Sequence, residues 1–149
     1  MTQNDKLRFE RTTPDLFKSL VETQMSIDGS GFDRAIHHLC VLRASQMNGC
    51  AFCVAMHIKE ARDDGESQDR LDQLVVWRET DLYSDKERAA LAWVEAMTTL
   101  DDAAGWAAAW DALTRHFSDK EICSLTVDIG MINLWNRLNV ARQSVNRPG

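Results

Sequence analysis

The sequence predicts an all-α fold, and three observations carry that expectation. Proline and glycine are scarce, at 2 and 7 of 149 residues, which suits long helices better than a many-turned β fold. The tetrad Ser-Asp-Lys-Glu occurs twice, at 84–87 and 118–121. Each copy fits the Ser-x-x-Glu capping box, in which the two side chains satisfy amides that the first helical turn leaves unpaired. No stretch shows the apolar–polar alternation of a half-buried strand.

From the N-terminus, the first thirty residues read as irregular apart from a short helix in "TPDLFKSLVETQMS", where Pro14 suits a helix start. "DGSG" at 28–31 is a break. Asp33 then caps a helix whose Ile36, Leu39, Cys40, Leu42, Ala44 and Met47 are apolar around much of its girth, which places it in the interior. Asn48-Gly49 interrupts it, and a further helix runs from about Cys50 to Ala61 before "RDDGES". Another helix around "SQDRLDQLVVW" carries Leu71, Leu74 and Val75. Ala89, Trp93, Ala96, Met97 and Leu100 come after the first capping box at helical spacing. "DAAGWAAAWDALTRHF" is rich in alanine, a strong helix former. After the second box, Leu125, Ile129 and Ile132 define one face, and Val127, Met131, Leu134 and Leu138 another, so this helix is expected to be buried on two sides. The residues after the two tetrads differ, so the tetrads read as similar helix starts rather than an internal duplication.

The bulk properties narrow the function. A chain of 149 residues is expected to form one domain, 1–149, with a core that needs no staples. A formal charge of -6 argues against nucleic acid, whose phosphates need clustered Lys and Arg. No apolar run approaches the ~18 residues of a membrane span. The polar start "MTQNDKLRFERTTPD" lacks the apolar centre of a secretory signal, so a cytoplasmic protein is expected. Disulfide frameworks are rare in such a compartment, and a close cysteine pair there points to catalysis or metal binding. Cys40 and Cys123 sit in apolar surroundings and read as small core residues. The five tryptophans, Trp77, Trp93, Trp106, Trp110 and Trp135, read as core or subunit-interface residues. The acidic stretch "RDDGESQD" reads as a solvated loop.

The chemistry concentrates in "NGCAFCVAMH", residues 48–57. At about 100° per residue Cys50 and His57 point within roughly 20° of each other, with Cys53 about 60° away. A helix restarting after Asn48-Gly49 puts Cys50 in its first turn, where the dipole favours a thiolate. His57 lies one turn beyond Cys53. Lowering a thiol pKa from about 8.5 to about 7 raises the thiolate fraction roughly sixteenfold, but reduced nucleophilicity returns a factor of about five. A positioned acid is worth about 10²–10⁴, so a histidine beside the pair matters more than thiol acidity. His57 is the nearest candidate, with His37 and His38 the others in this region. The spacing alone leaves redox chemistry, simple burial and zinc binding open. The zinc reading takes Cys50, Cys53, His57 and a fourth ligand such as His38.

The longer stretch "HHLCVLRASQMNGCAFCVAMHIKEAR" resembles the signature of the alkylhydroperoxidase D-like proteins of the carboxymuconolactone decarboxylase superfamily. "VVWRETDLYSDKERAALAWVEAMT" and "HFSDKEICSLTVDIGMINLWNRLNVA" resemble later helices of the same group, so the likeness spans roughly residues 32–142. It implies an all-helical bundle, an obligate homo-oligomer, and no metal, haem or flavin cofactor. It also implies reduction of hydroperoxides by the cysteine pair, which a dithiol partner re-reduces. Cys53 matches the cysteine that attacks peroxide, and Cys50 the one that resolves the sulfenic acid into a disulfide. This ordering opposes the helix-dipole argument for Cys50, and we adopt it because the net gain from thiol acidity is small. His57 matches the histidine of the family's proton relay. The residue twelve before Cys50, a glutamate in that relay, is His38 here, and Phe52 stands where some members have histidine. A second imidazole cannot supply the missing carboxylate charge. Asn133, Asn136 and Arg137 fit the family tail and read as structural. The expectation is a thiol peroxidase using Cys53, Cys50, His57 and His38. The alternative is a redox sensor or binding protein that uses the same disulfide as a switch with little turnover, and a structural zinc protein ranks below both.

Overall fold

The computed structural model describes residues 6–101 and 103–147. The polar start of the chain up to residue 5, and Asp102 at the head of the alanine-rich helix, lie outside them. Within the described residues the regular structure is helical: α1 Phe9–Thr12, α2 Pro14–Asp28, α3 Arg34–Met47, α4 Ala51–Asp63, α5 Gln68–Gln73, a 3-10 turn Leu74–Glu79, α6 Asp85–Thr99, α7 Ala103–Thr114 and α8 Asp119–Asn146. No helix among them is long and apolar enough to cross a membrane.

Local chemistry sets the boundaries. Pro14 opens α2. The Asp33 carboxylate caps α3 by accepting from the amides of Ala35 and Ile36. Ser84 and Ser118 each form the reciprocal capping box with the glutamate three residues on.

Helix α3 is the hub, packed against α4, α6 and α8. Its two apolar faces enter two separate clusters. Ile36, Cys40, Val41 and Ala44 meet Ala90, Trp93 and Val94 of α6, Leu113 of α7, and Leu125, Ile129 and Ile132 of α8. Leu39 and Leu42 meet Ala61, Leu71, Leu74, Trp77, Tyr83 and Leu91. A helix flanked on several sides has little use for a polar stripe, which is why its sequence shows none.

Three sequence expectations need correction. Cys123 is exposed, and Val127 is 55% exposed. They lie four residues apart on the outer face of α8, while Ile122, Leu125 and Ile129 take the core face. Leu100 does not extend the α6 stripe; it ends the helix in a left-handed conformation, φ 61°, and is 67% exposed. The tryptophans are not among these corrections: Trp77 and Trp93 are buried, Trp106 and Trp135 pack against the first cluster, and Trp110 is 47% exposed.

Candidate active site

The cysteine pair is placed by the junction between α3 and α4. Asn48 ends α3, and Gly49 turns left-handed at φ 65°. Its amide reaches back to the Gln46 carbonyl at 3.2 Å, and the Cys50 amide reaches the Ser45 carbonyl at 3.1 Å. This pair of reverse bonds closes a helix end around a left-handed residue, where glycine carries no Cβ penalty. Cys50 then serves as the N-cap of α4, its Sγ accepting from the Cys53 amide at 3.3 Å. Cys50 is thus outside the helical turn in which the sequence spacing put it. The pair is joined as a disulfide with Cα atoms 5.3 Å apart, inside the ~4.4–6.8 Å that such bonds span. Both residues are buried, at 0% and 1% exposure.

A cavity of about 490 Å³ opens beside the pair. Phe52, Cys53, Met56, His57 and Glu60 of α4 line one wall; Arg34, His37 and Val41 of α3 line a second. Asp128, Ile132, Trp135, Asn139 and Arg142 form a third, one stripe at helical spacing along α8. Phe9 of α1 and Phe17 of α2 close the rest. Cys53 lines this cavity and Cys50 does not. The Asn139 amide donates to Cys53 Sγ at 3.7 Å.

Three histidines are each held by a carboxylate. His57 Nδ1 lies 3.1 Å from Glu60 Oε2, three residues along the same helix. His37 Nδ1 lies 2.5 Å from Asp128 Oδ2. His38 Nε2 lies 2.7 Å from Asp64 Oδ2, which also takes a bond from Arg34 at 2.9 Å. Burial pushes the His57 pKa below its ordinary value, opposed by Glu60 and reinforced by the two neighbouring imidazoles. Burial thus favours the neutral imidazole, and with Nδ1–H donated to Glu60 the lone pair sits on Nε2. That Nε2 is buried and has no hydrogen-bond partner. Asp64 is held below the usual carboxylate range by His38 first and Arg34 second. Burial pushes the Cys40 thiol well up, so that cysteine is inert.

The structure brings Cys53 and His57 to one cavity and bonds Cys50 to Cys53. His38 does not join them: it is 1% exposed, does not line the cavity, and turns Nε2 toward Asp64 at the C-terminus of α4. Its neighbour His37 lines the cavity instead. The stretch read as a solvated acidic loop thus contains His38's partner. Sequence reasoning missed Glu60, Asp128 and Asn139. Glu60 was legible, since residues three apart on a helix meet. Asp128 was legible only as a polar position set among the apolar Leu125, Ile129 and Ile132 of α8. Among the described residues no three His, Cys, Asp or Glu converge as metal ligands, so the zinc reading has no donor set there. Asn133 and Asn136 do bond a helix end, accepting from the Asn48 side chain at 3.0 and 2.9 Å.

A helical bundle built around a Cys-x-x-Cys pair at a helix start is the architecture of the AhpD-like proteins, and comparison with known sequences and structures agrees. The chain belongs to the carboxymuconolactone decarboxylase family, whose model matches residues 14–96. It is similar to the uncharacterized protein YdfG of Bacillus subtilis (strain 168), at 31% identity over 138 residues, 93% of this chain and 94% of that one. It is also similar to the crystal structure of ATU0492 from Agrobacterium tumefaciens, a protein of unknown function whose name associates it with AhpD and antioxidant defence. That match has a TM-score of 0.88 and 41% identity, covering 95% of this chain and 97% of the other. The debrominase Bmp8, at TM-score 0.76 and 21% identity over 88% of this chain and 70% of its own, shares the fold. A fold alone does not choose among reactions, so the activity has to be argued from the site.

Proposed function

We propose that this protein is a thiol-dependent peroxidase that reduces hydroperoxides through a Cys53–Cys50 dithiol/disulfide cycle. The observation that carries the reading is the asymmetry of the pair: Cys53 lines the same cavity as His57, whose Nε2 is unpartnered, while Cys50 does not line it and is bonded to Cys53. His57 Nε2 takes the Cys53 thiol proton. The thiolate attacks the terminal peroxide oxygen; an S–O bond forms, the O–O bond breaks, and the alcohol leaves once protonated. Cys53 becomes a sulfenic acid, oxidised by two electrons. The Cys50 thiol then attacks that sulfur, releasing water and forming the disulfide, and an external dithiol returns both cysteines to thiols. The carboxylate missing at position 38 is not missing from the relay, because Glu60 holds His57 directly. No resident cofactor enters this cycle.

The test is consumption of cumene hydroperoxide with dihydrolipoamide as reductant. Cys53→Ser is expected to abolish it, and Cys50→Ser to stop after one oxidation. Turnover surviving in Cys53→Ser overturns the assignment. A redox switch is the second reading, favoured by the withdrawal of His38 from the cavity; one rapid oxidation followed by a negligible steady rate would support it. We also propose that the protein works as a homo-oligomer, with apolar side chains such as Leu16 and Met25, 62% and 67% exposed, covered between subunits. Light scattering on the eluted protein reads the subunit count, and a monomer counts against this part.

A further inference from the structure

We propose that His37, positioned by Asp128, is the acid that protonates the departing oxygen, so that two imidazoles divide the proton work at Cys53. The inference rests on the peroxidase reading above and adds a residue to it. Of the three histidine–carboxylate pairs, two face the cavity. His57 with Glu60 lies on the helix that carries the thiol; His37 with Asp128 spans the opposite junction between α3 and α8. The His37 and Asp128 side chains are only 13% and 4% exposed. Asp128 Oδ2 is 2.5 Å from His37 Nδ1, and Oδ1 is buried with no partner. A carboxylate so poorly satisfied costs stability, and polar pairs placed at that cost in a cleft are candidates for chemistry. The bond to Asp128 occupies Nδ1, leaving Nε2 to exchange a proton with whatever fills the cavity. Charged and titratable groups around His37 include Arg34 and His38 on its own helix, Asp28 on α2, His57 and Glu60 on α4, and Asp128 on α8, with Glu10, Cys53 and Arg142 lining the same cavity.

The two roles separate in time. His57 accepts the thiol proton before attack. As the Cys53 sulfur forms its bond to the terminal oxygen, the O–O electron pair moves onto the inner oxygen. That alkoxide takes the Nε2 proton of the His37 imidazolium and leaves as the alcohol. Proton exchange with solvent in the cavity returns both imidazoles to their starting states. The net change is Cys53 thiol plus hydroperoxide to Cys53 sulfenic acid plus alcohol. Asp128 touches no reacting atom; it is a positioning residue that fixes the ring and balances the imidazolium charge.

This assignment predicts a dependence on the leaving group that a structural role would not produce. An alkoxide needs a proton to depart, whereas the carboxylate released from a peroxy acid does not. The experiment compares single-turnover oxidation of reduced protein by cumene hydroperoxide and by peracetic acid, in wild type, His37→Asn, His37→Gln and Asp128→Asn. The expected result for either His37 variant is a loss of about 10²-fold or more with cumene hydroperoxide and a change within about threefold with peracetic acid. Asp128→Asn should show the same selectivity at smaller size. The ratio of the two rates is internal to each protein, so partial misfolding cannot imitate it. Equal losses with both oxidants, or none with either, overturn the role of His37. If wild type itself reacts with neither oxidant, the peroxidase reading falls first and takes this one with it. A wild type that reacts normally beside an unimpaired His37→Asn removes only this proposal.

Discussion

His57 is 7% exposed, and its titration reflects that burial. Its pKa lies below the ordinary histidine value, chiefly through desolvation, with Glu60 pulling the other way. The folded protein therefore binds this proton less readily than the unfolded chain. The resulting stability is fully present above pH ~6.5 and drains away as pH falls from there through the lowered value. The urea midpoint is expected to drop between pH 7 and pH 5, and to drop less in His57→Gln. Equal slopes in the two proteins would refute the assignment. Gly49 offers a second single-residue prediction. Its φ is 65°, and a Cβ built there meets nothing within 4 Å. Only backbone conformation opposes a side chain, so Gly49→Ala should cost about 1–2 kcal/mol in chemical denaturation. Gly49→Asn should cost less, because asparagine tolerates the left-handed region.

Among the elements, α6 and α8 begin with the same tetrad but are anchored differently. Ser84→Ala and Ser118→Ala should each cost about 1 kcal/mol, the usual worth of an N-cap hydroxyl. Their glutamates are not equivalent. Glu87 also takes the Arg70 guanidinium at 2.5 Å, with both side chains mostly buried. Glu121 adds to its capping box an ion pair with Lys86 at 3.7 Å, where both are more than a third exposed. Glu87→Gln should therefore exceed Glu121→Gln by about 1 kcal/mol or more, the difference between a shielded charged hydrogen bond and a surface ion pair. Urea midpoints of the four variants decide the order. Capping boxes and the Asp33 cap were readable because they depend on neighbours in sequence. The outward turn of Cys123 and Val127 was not, because both faces of α8 carry apolar residues there and only packing against α3 and α6 selects one.

At the scale of the whole molecule, α3 packs against α4, α6 and α8, and side-chain hydrogen bonds tie its C-terminal end to α8. Asn48 donates to Asn133 and Asn136, and Asn136 donates to Ser45 at 3.0 Å. Asn136 and Ser45 are both 0% exposed. Asn136→Ala strands part of this network and should cost about 1–3 kcal/mol. Because the same network holds the helix end that leads into Cys50, the rate of dithiol oxidation should fall as well. Loss of stability with an unchanged oxidation rate would separate the network from the site. The cavity depends on the same packing: α8, lying beyond the residues 14–96 that the family model matches, supplies Asp128, Trp135 and Asn139 to its wall.

Local sequence was enough to set the helices, their caps and the placement of two cysteines and a histidine on one short segment, because each depends on residues within about one turn of each other. Which imidazole meets the cavity was left to the packing of the bundle. His37 and His38 are adjacent in the chain, and about 100° of helical rotation separates them. One faces α8 and Asp128; the other faces the end of α4 and Asp64. No local preference distinguishes the two. The choice came from the way α3 sits among its neighbours, and with it came the carboxylate each histidine found.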